Sequence, residues 1–185
     1  LNAAKRFDSL VEAIADCRKV IATCGRIQHG KIPLHSLGEA LPWALNLCDD
    51  EPFALVFGRE DRGLTNEELL MAQRVLTIST SENYPSLNLS HSVAIVLHEL
   101  NRFNQVEIST IKRKKSSNLT ATSFQLNSFL EDTQMLLLEI GFLMQHTAKA
   151  RMAKIRGMIN RAELNQDEVL MIRGIIRQIK WAIKS

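Results

Sequence analysis

Cysteine is scarce in this 185-residue chain: Cys17, Cys24 and Cys48 are odd in number, and no two are spaced as C-x-x-C. That supports neither a disulfide framework nor a zinc site, so no metal is expected and a reducing cytoplasm is the natural compartment. No apolar run approaches the roughly 20 residues needed to cross a bilayer, so no membrane partner is expected. The nucleotide fingerprints G-x-x-x-x-G-K-[ST] and G-x-G-x-x-G are both missing. Aromatic residues are only 5%. Trp43 and Trp181 are the candidates for stacking on bases, but both lie in amphipathic stretches where burial is expected. The start, Leu1-Asn2-Ala3-Ala4, carries neither an initiator methionine nor a secretory pattern, and the chain is expected to be part of something longer.

What is present is enough for a core. Hydrophobic residues make up 45% and charged residues 23%, the balance of a globular protein, and the length suits one domain or one domain with a smaller appendage. The net charge of +3 conceals an asymmetry. Residues 1–104 hold 10 Lys/Arg against 13 Asp/Glu, and residues 105–185 hold 13 against 7. A basic tail on a mildly acidic body suits either a polyanionic partner or a solvated basic helix face.

The pattern alternates short apolar runs with helical stretches. Ser9 to Cys17 predicts a helix with Leu10, Val11, Ile14 and Ala15 on one face. Val20-Ile21-Ala22 predicts a buried strand running into Thr23-Cys24-Gly25-Arg26. Gln28 to Ser36, with Gly30 and Pro33, reads as loop, Leu37 to Leu47 as a helix troubled by Pro42, and Asp49 to Pro52 as a turn. Phe53 to Phe57 reads as a parallel strand covered on both faces. Thr65-Asn66-Glu67-Glu68 is a capping box opening the next helix, and Val75 to Ile78 a further strand. A loop over Ser79–Ser90 precedes a helix over Ser92–Phe103, with Val93, Val96, Leu97 and Leu100 inward. Such alternation predicts an α/β fold with a parallel sheet. Gln105 to Ser123, containing Lys112-Arg113-Lys114-Lys115, reads as a basic linker. Three helices follow, about Gln125–Ile140 (stopped by Gly141), Ala148–Ala162 and Asp167–Lys184. The middle one has the stripe Met152, Ile155, Met158 and Ile159, and the last places Leu170, Ile172, Ile175, Ile176 and Ile179 inward.

Two loops concentrate the polar and small residues at strand ends, where open α/β sheets bind ligands. The first is Phe57-Gly58-Arg59-Glu60-Asp61-Arg62-Gly63-Leu64. The second is Tyr84-Pro85-Ser86-Leu87-Asn88-Leu89-Ser90. Gly58 permits close approach of a ligand or another chain to the backbone. Ser86 and Asn88 alternate with Leu87 and Leu89, and Ile78, Leu87 and Leu89 are placed to frame an adenine. His91 and His98, on the helix after the second loop, are expected to be structural. Spacing alone favours ordinary turn chemistry over a ligand pocket.

These two motifs, in this order and followed by Val93-Ala94, resemble the second and third signature motifs of the SpoU/TrmH methyltransferases. That family lies within the SPOUT class of RNA 2′-O-ribose methyltransferases. Leu64-Thr65-Asn66-Glu67-Glu68-Leu69 and the C-terminal Leu170, Arg173-Gly174-Ile175 pattern are most similar to the TrmJ branch, and the resemblance covers nearly the whole chain. It implies a SPOUT-type parallel sheet with a C-terminal deep trefoil knot, an exception to unthreaded topology, followed by a small all-α extension. The implied division is a methyltransferase domain over 1–104, a basic linker over 105–123 and a helical extension over 124–185.

The resemblance also implies S-adenosylmethionine as cofactor, tRNA as substrate (position 32 of the anticodon loop), a homodimer and a cytoplasmic setting. Carried over residue by residue, the cofactor positions are Thr23, Cys24, Gly25, Gly58, Ile78, Ser86, Leu87 and Asn88, with Cys24 as pocket wall. Glu60, Ser86 and Asn88 match the family's polar active-site positions. Arg26, Arg59, Lys112, Arg113, Lys114 and Lys115 are the RNA-binding candidates, an arginine fork being suited to phosphate. The family's first motif, an Asn followed by its principal catalytic Arg, has no match here. Leu1 aligns after it, so the N-terminal part of the sheet is expected to be missing, leaving an apolar sheet edge exposed unless a dimer covers it. The alternatives are a non-catalytic SPOUT-like RNA-binding dimer, a purely structural dimerisation domain, or another rRNA or tRNA 2′-O-methyltransferase of the family. Donor binding measured beside tRNA binding separates enzyme from binder.

Overall fold

The computed structural model describes residues 3–25, 32–46, 51–81, 87–110 and 119–184. The chain forms two compact units, Lys19–Ser116 and a second made of Leu1–Arg18 with Ser117–Ser185.

The first unit is a parallel α/β layer. Its strands are β1 (Lys19–Thr23), β2 (Leu34–His35), β3 (Phe53–Val56) and β4 (Arg74–Leu76), and its helices are α2 (Leu37–Leu45), α3 (Asn66–Leu69) and α4 (Leu89–Thr110). The sheet order is β2-β4-β1-β3 and every pairing is parallel, with Ile21 opposite Leu55 on one side and Arg74 on the other. Lys19 to Ala22 are all buried, because β1 has a strand on each side. Ile21, Leu76, Ala40, Leu41, Ala44 and Val96 form the core between the sheet and helices α2 and α4. Each large side chain in it contributes roughly 1.5–3 kcal/mol of burial.

Buried Lys19 solves its own charge problem. Its Nζ donates to the carbonyls of Trp43 (2.5 Å) and Asn46 (2.9 Å), the unpaired end of α2. Lys19 and Arg74 both lie over the Trp43 ring, at 4.8 and 4.5 Å from its centroid. Trp43 is therefore half-buried as a platform for two cations.

The capping box at Thr65 is present in full: Thr65 Oγ1 accepts from the Glu68 amide at 3.2 Å, and Glu68 Oε2 accepts from the Thr65 amide at 2.6 Å. Pro42 neither starts nor ends α2; it sits inside it.

Several expectations are corrected. Phe53–Val56 is an edge strand among the described residues and half-buried except at Val56, because a continuous apolar run marks a strand without saying what flanks it. Leu34–His35, expected in a loop, pairs with β4. The helix α4 begins at Leu89 and continues to Thr110, into the expected linker; Leu97 is 50% exposed and His98 exposed. Gln28–Gly30, Asp49 and Asp50 lie outside the described residues, as do His29 and Cys48.

The second unit packs α1 (Leu10–Ala13), α5 (Ser123–Glu139), α6 (Gln145–Ala162) and α7 (Gln166–Lys184). The first helix is only one turn, capped by Ser9, far shorter than Ser9–Cys17. The amides of Ser123 and Phe124 donate to the carbonyls of Cys17 and Ala15, and the Arg18 guanidinium donates to the Thr120 carbonyl. That ties residues 15–18 to the start of α5. Leu126, Phe129, Leu130, Leu136, Leu143, Met152, Val169 and Ile176 make the core. Gly141, at φ +75°, ends α5 where a left-handed residue is required. Leu170, Ile175 and Ile179 point outward, 63%, 53% and 40% exposed, and Met158 and Trp181 are exposed as well. The inward line of α7 is Val169, Ile172 and Ile176, a narrower stripe than the count of apolar residues suggested. Among the described residues no helix is long and apolar enough to cross a membrane.

Candidate active site

The parallel order brings the carboxyl ends of β1, β3 and β4 side by side on one edge of the sheet, with β1 in the middle. Thr23-Cys24-Gly25, Phe57–Leu64 and Thr77-Ile78 leave from those three ends. This is where the chain changes from one side of β1 to the other, the crevice that open α/β sheets use for ligands.

The three exits are stitched by hydrogen bonds. The Thr23 hydroxyl donates to the Val56 carbonyl at 3.1 Å, joining β1 to β3. The Cys24 amide donates to the Leu76 carbonyl at 2.8 Å, and the Thr77 amide to the His35 carbonyl at 2.9 Å. The backbone at this edge is thus held in register before any ligand arrives. The Thr23 hydroxyl, whose proton is committed to Val56, is a brace.

The loop after β3 folds back on itself. The Gly63 amide donates to the Arg59 carbonyl at 2.7 Å, and Gly63 has φ +69°. A Cβ on Gly58 would run into the backbone of Gly63 and Leu64. Gly58 is required by the loop's own return path, whereas the motif alone suggested room for a ligand or another chain. Gly63, which sequence reasoning left unassigned, is the residue that makes the return possible; its signal was the second glycine five positions on.

Electrostatics keep this loop charged but internally paired. Arg59 Nε and Nη2 donate to the two Asp61 carboxylate oxygens at 3.0 Å each, a fork closed on a neighbour. The Asp61 carboxyl is held below its usual range by that hydrogen bond from Arg59, and Arg59 is raised by the same bond. Both are well exposed, so the pair positions the loop weakly. Arg62 reaches Glu68 at 3.6 Å. The Glu68 carboxyl is lowered, first by its hydrogen bond from the Thr65 backbone. Glu60 is exposed, beside this pair and apart from it.

Ile78 and Leu87 are half-buried and Asn88 is exposed, at the amino end of α4. Cys24 is half-buried; Gly25 is exposed. The structure therefore assembles Thr23, Cys24, Gly25, Gly58 and Ile78 at one sheet edge. Arg26, Tyr84, Pro85, Ser86, Lys112, Arg113, Lys114 and Lys115 lie outside the described residues. His91, beside the second motif, is exposed. Among the described residues no group of His, Cys, Asp or Glu is arranged to hold a metal ion.

Comparison with known proteins matches both parts of the chain. The SpoU rRNA Methylase family model matches residues 1–98, and that of the tRNA methyltransferase TrmJ C-terminal domain matches residues 124–185. An uncharacterized tRNA/rRNA methyltransferase of Haemophilus influenzae is 31% identical over 97% of this chain and 73% of its own length. The tRNA (cytidine/uridine-2′-O-)-methyltransferase TrmJ of Photorhabdus laumondii is 30% identical over 96% and 74%. Among solved structures, TrmJ from Z. mobilis ZM4 superposes with a TM-score of 0.81 over 97% of this chain and 75% of that one, at 20% identity. That likeness is of fold.

Proposed function

The chain belongs to the SpoU rRNA methylase family, and on that premise we propose that it methylates a ribose 2′-oxygen of tRNA, with S-adenosylmethionine as donor. The observation that carries the reading is the shared edge of β1, β3 and β4, from which Thr23-Cys24-Gly25, the first motif loop Phe57–Leu64 and Thr77-Ile78 emerge.

The described residues fit that donor. Half-buried Ile78 and Leu87 leave apolar surface for a purine, and the exits of the three strands offer main-chain groups to read its edge. When bound, the donor supplies an activated sulfonium methyl. The bond that forms joins the ribose 2′-oxygen to the methyl carbon, the bond that breaks is methyl to sulfur, and the hydroxyl proton is released. The chain's part is alignment and exclusion of water. Cys24 and Gly25 extend the β1 exit as pocket wall, and Gly58 lets the β3 loop fold flat. Glu60, Ser86 and Asn88 shape the ribose site. Arg59, with one guanidinium face turned to Asp61, has its remaining donors for a phosphate, as Arg26 and Lys112–Lys115 would.

We further propose the division 1–104, 105–123 and 124–185 for catalysis, linker and substrate capture. In this reading the Ser79–Ser90 loop and the helix after it belong to a trefoil knot, two copies pair, no metal takes part, and the work is done in the cytoplasm. The test is direct. Protein, tRNA and methyl-labelled donor are incubated, the RNA is digested, and 2′-O-methylated nucleosides are sought by mass spectrometry. Absence of label on every tRNA tried would sink the reading. Tight tRNA binding without donor binding in calorimetry would replace it with an RNA-binding module.

A further inference from the structure

The helix α6 is basic from end to end. Lys149, Arg151, Lys154, Arg156 and Arg161, with His146, face no acidic residue anywhere in Gln145–Ala162. The core side of α6 is taken by Ala148, Met152, Ile155 and Ile159. On the opposite side the spacing is regular. Lys149 and Arg156 stand seven residues apart on one flank, and Lys154 and Arg161 seven apart on the other. Two turns of helix separate the cations of each pair by about 10 Å. Between the flanks run Ala150, Ala153 and Gly157, a floor with almost no side chain. Lys154 and Arg161 are exposed, and neither joins an ion pair among the described residues.

Two features of this face cost the helix stability. Glycine weakens a helix interior, yet a Cβ at Gly157 would meet only Arg161 Nη1 at an ordinary 3.6 Å. Like charges along one helix also repel. Arg156, in contrast, is turned toward α5 and half-buried: its Nη1 donates to Asn127 Oδ1 at 2.5 Å, with Glu131 of α5 beside it. Glu131 of α5 acts on Arg156, and Glu163 caps the end of the helix.

We infer that the outer face of α6 is a track for an RNA phosphodiester backbone, with Lys154 and Arg161 as the cations that hold it and Gly157 as the point of closest approach. This rests on tRNA being the substrate, and it assigns the contact to a surface separate from the sheet edge. Small residues between cations let a phosphate chain lie against the helix, where longer side chains would hold it away. The contacts are to backbone and carry no sequence preference.

Three variants of the whole protein test it. Gly157→Leu gives a better helix former whose only near neighbour is the flexible end of Arg161, so its melting temperature should hold or rise while tRNA affinity falls several-fold. Lys154→Ala with Arg161→Ala should weaken binding and make the slope of log affinity on log salt shallower by about two. Arg177→Ala, an exposed arginine on α7, should leave binding unchanged. Donor affinity should be the same in all three. If wild-type protein methylates tRNA but the first two variants bind it as tightly and with the same salt slope, the track is wrong. An Arg177→Ala loss as large as the double variant's would overturn it too, by showing a diffuse basic surface. If wild-type protein binds no tRNA, the functional reading itself fails, and the track with it.

Discussion

Gly58 and Gly63 show how two neighbouring glycines answer different physical demands. Gly58 has no space for a Cβ because the returning backbone of Gly63 and Leu64 occupies it. Gly63 has the space but sits at φ +69°. Gly58→Ala should therefore cost more, about 1–3 kcal/mol of unfolding free energy by urea titration, and should weaken donor binding. Gly63→Ala should cost about 1–2 kcal/mol through backbone strain alone. The reverse order would mean that the loop relaxes around position 58. Cysteines differ as sharply. Burial, then the neighbouring Asp16 carboxylate, pushes the Cys17 thiol up to about 11. Below about pH 9 the thiol is protonated in both folded and unfolded chains. Between about 9 and about 11 the unfolded chain ionises first, so Cys17 makes stability fall as pH rises through that window. Iodoacetamide at pH 8 should accordingly spare Cys17 in the folded protein and label half-buried Cys24, read by peptide mass. Labelling of Cys24 should slow when donor is bound.

Local chemistry decided the elements wherever it was self-contained. The Thr65 box predicted from four residues has both of its hydrogen bonds. Thr65→Ala should cost about 1 kcal/mol, seen as a lower urea midpoint. Because the Glu68 carboxyl is lowered in the folded state, its contribution is present above the unfolded carboxylate range and disappears as pH falls through the folded value. Glu39 behaves in the same way at the start of α2, where its carboxylate accepts from the Ser36 amide and hydroxyl at 2.8 Å each. An acid titration should show the sheet unit losing stability in that range, and Glu68→Gln should flatten the loss. Elements whose faces depend on neighbours were read less well. Ile175 and Leu170 on α7 have the apolar character of core residues and yet are exposed, since only a stripe as wide as the packed α5 surface is covered.

Across the molecule, alternation of apolar runs and amphipathic stretches was sufficient to announce a parallel α/β sheet followed by helices. Both follow from periodicity, which is a property of the chain itself. The motif loops, the capping box and the glycine stop of α5 were legible for the same reason: each is built from residues a few positions apart. Residues 3–18 could not be placed in this way. They pack with the C-terminal helices through Cys17 and Ala15, more than 100 positions from Ser123 and Phe124 along the chain, and no local pattern encodes such a partner. Strand order is equally non-local. That β1 is internal and β3 at an edge among the described strands depends on which pairs bury the most surface together, so an apolar run such as Phe53–Val56 reads the same in either position. The sequence alone determined the family, the strand-end motifs and the basic character of the helical part. Tertiary structure decided that Thr23 is a brace, that Gly58 faces its own chain, and which side of α6 is left open, because each depends on what lies opposite a side chain in space.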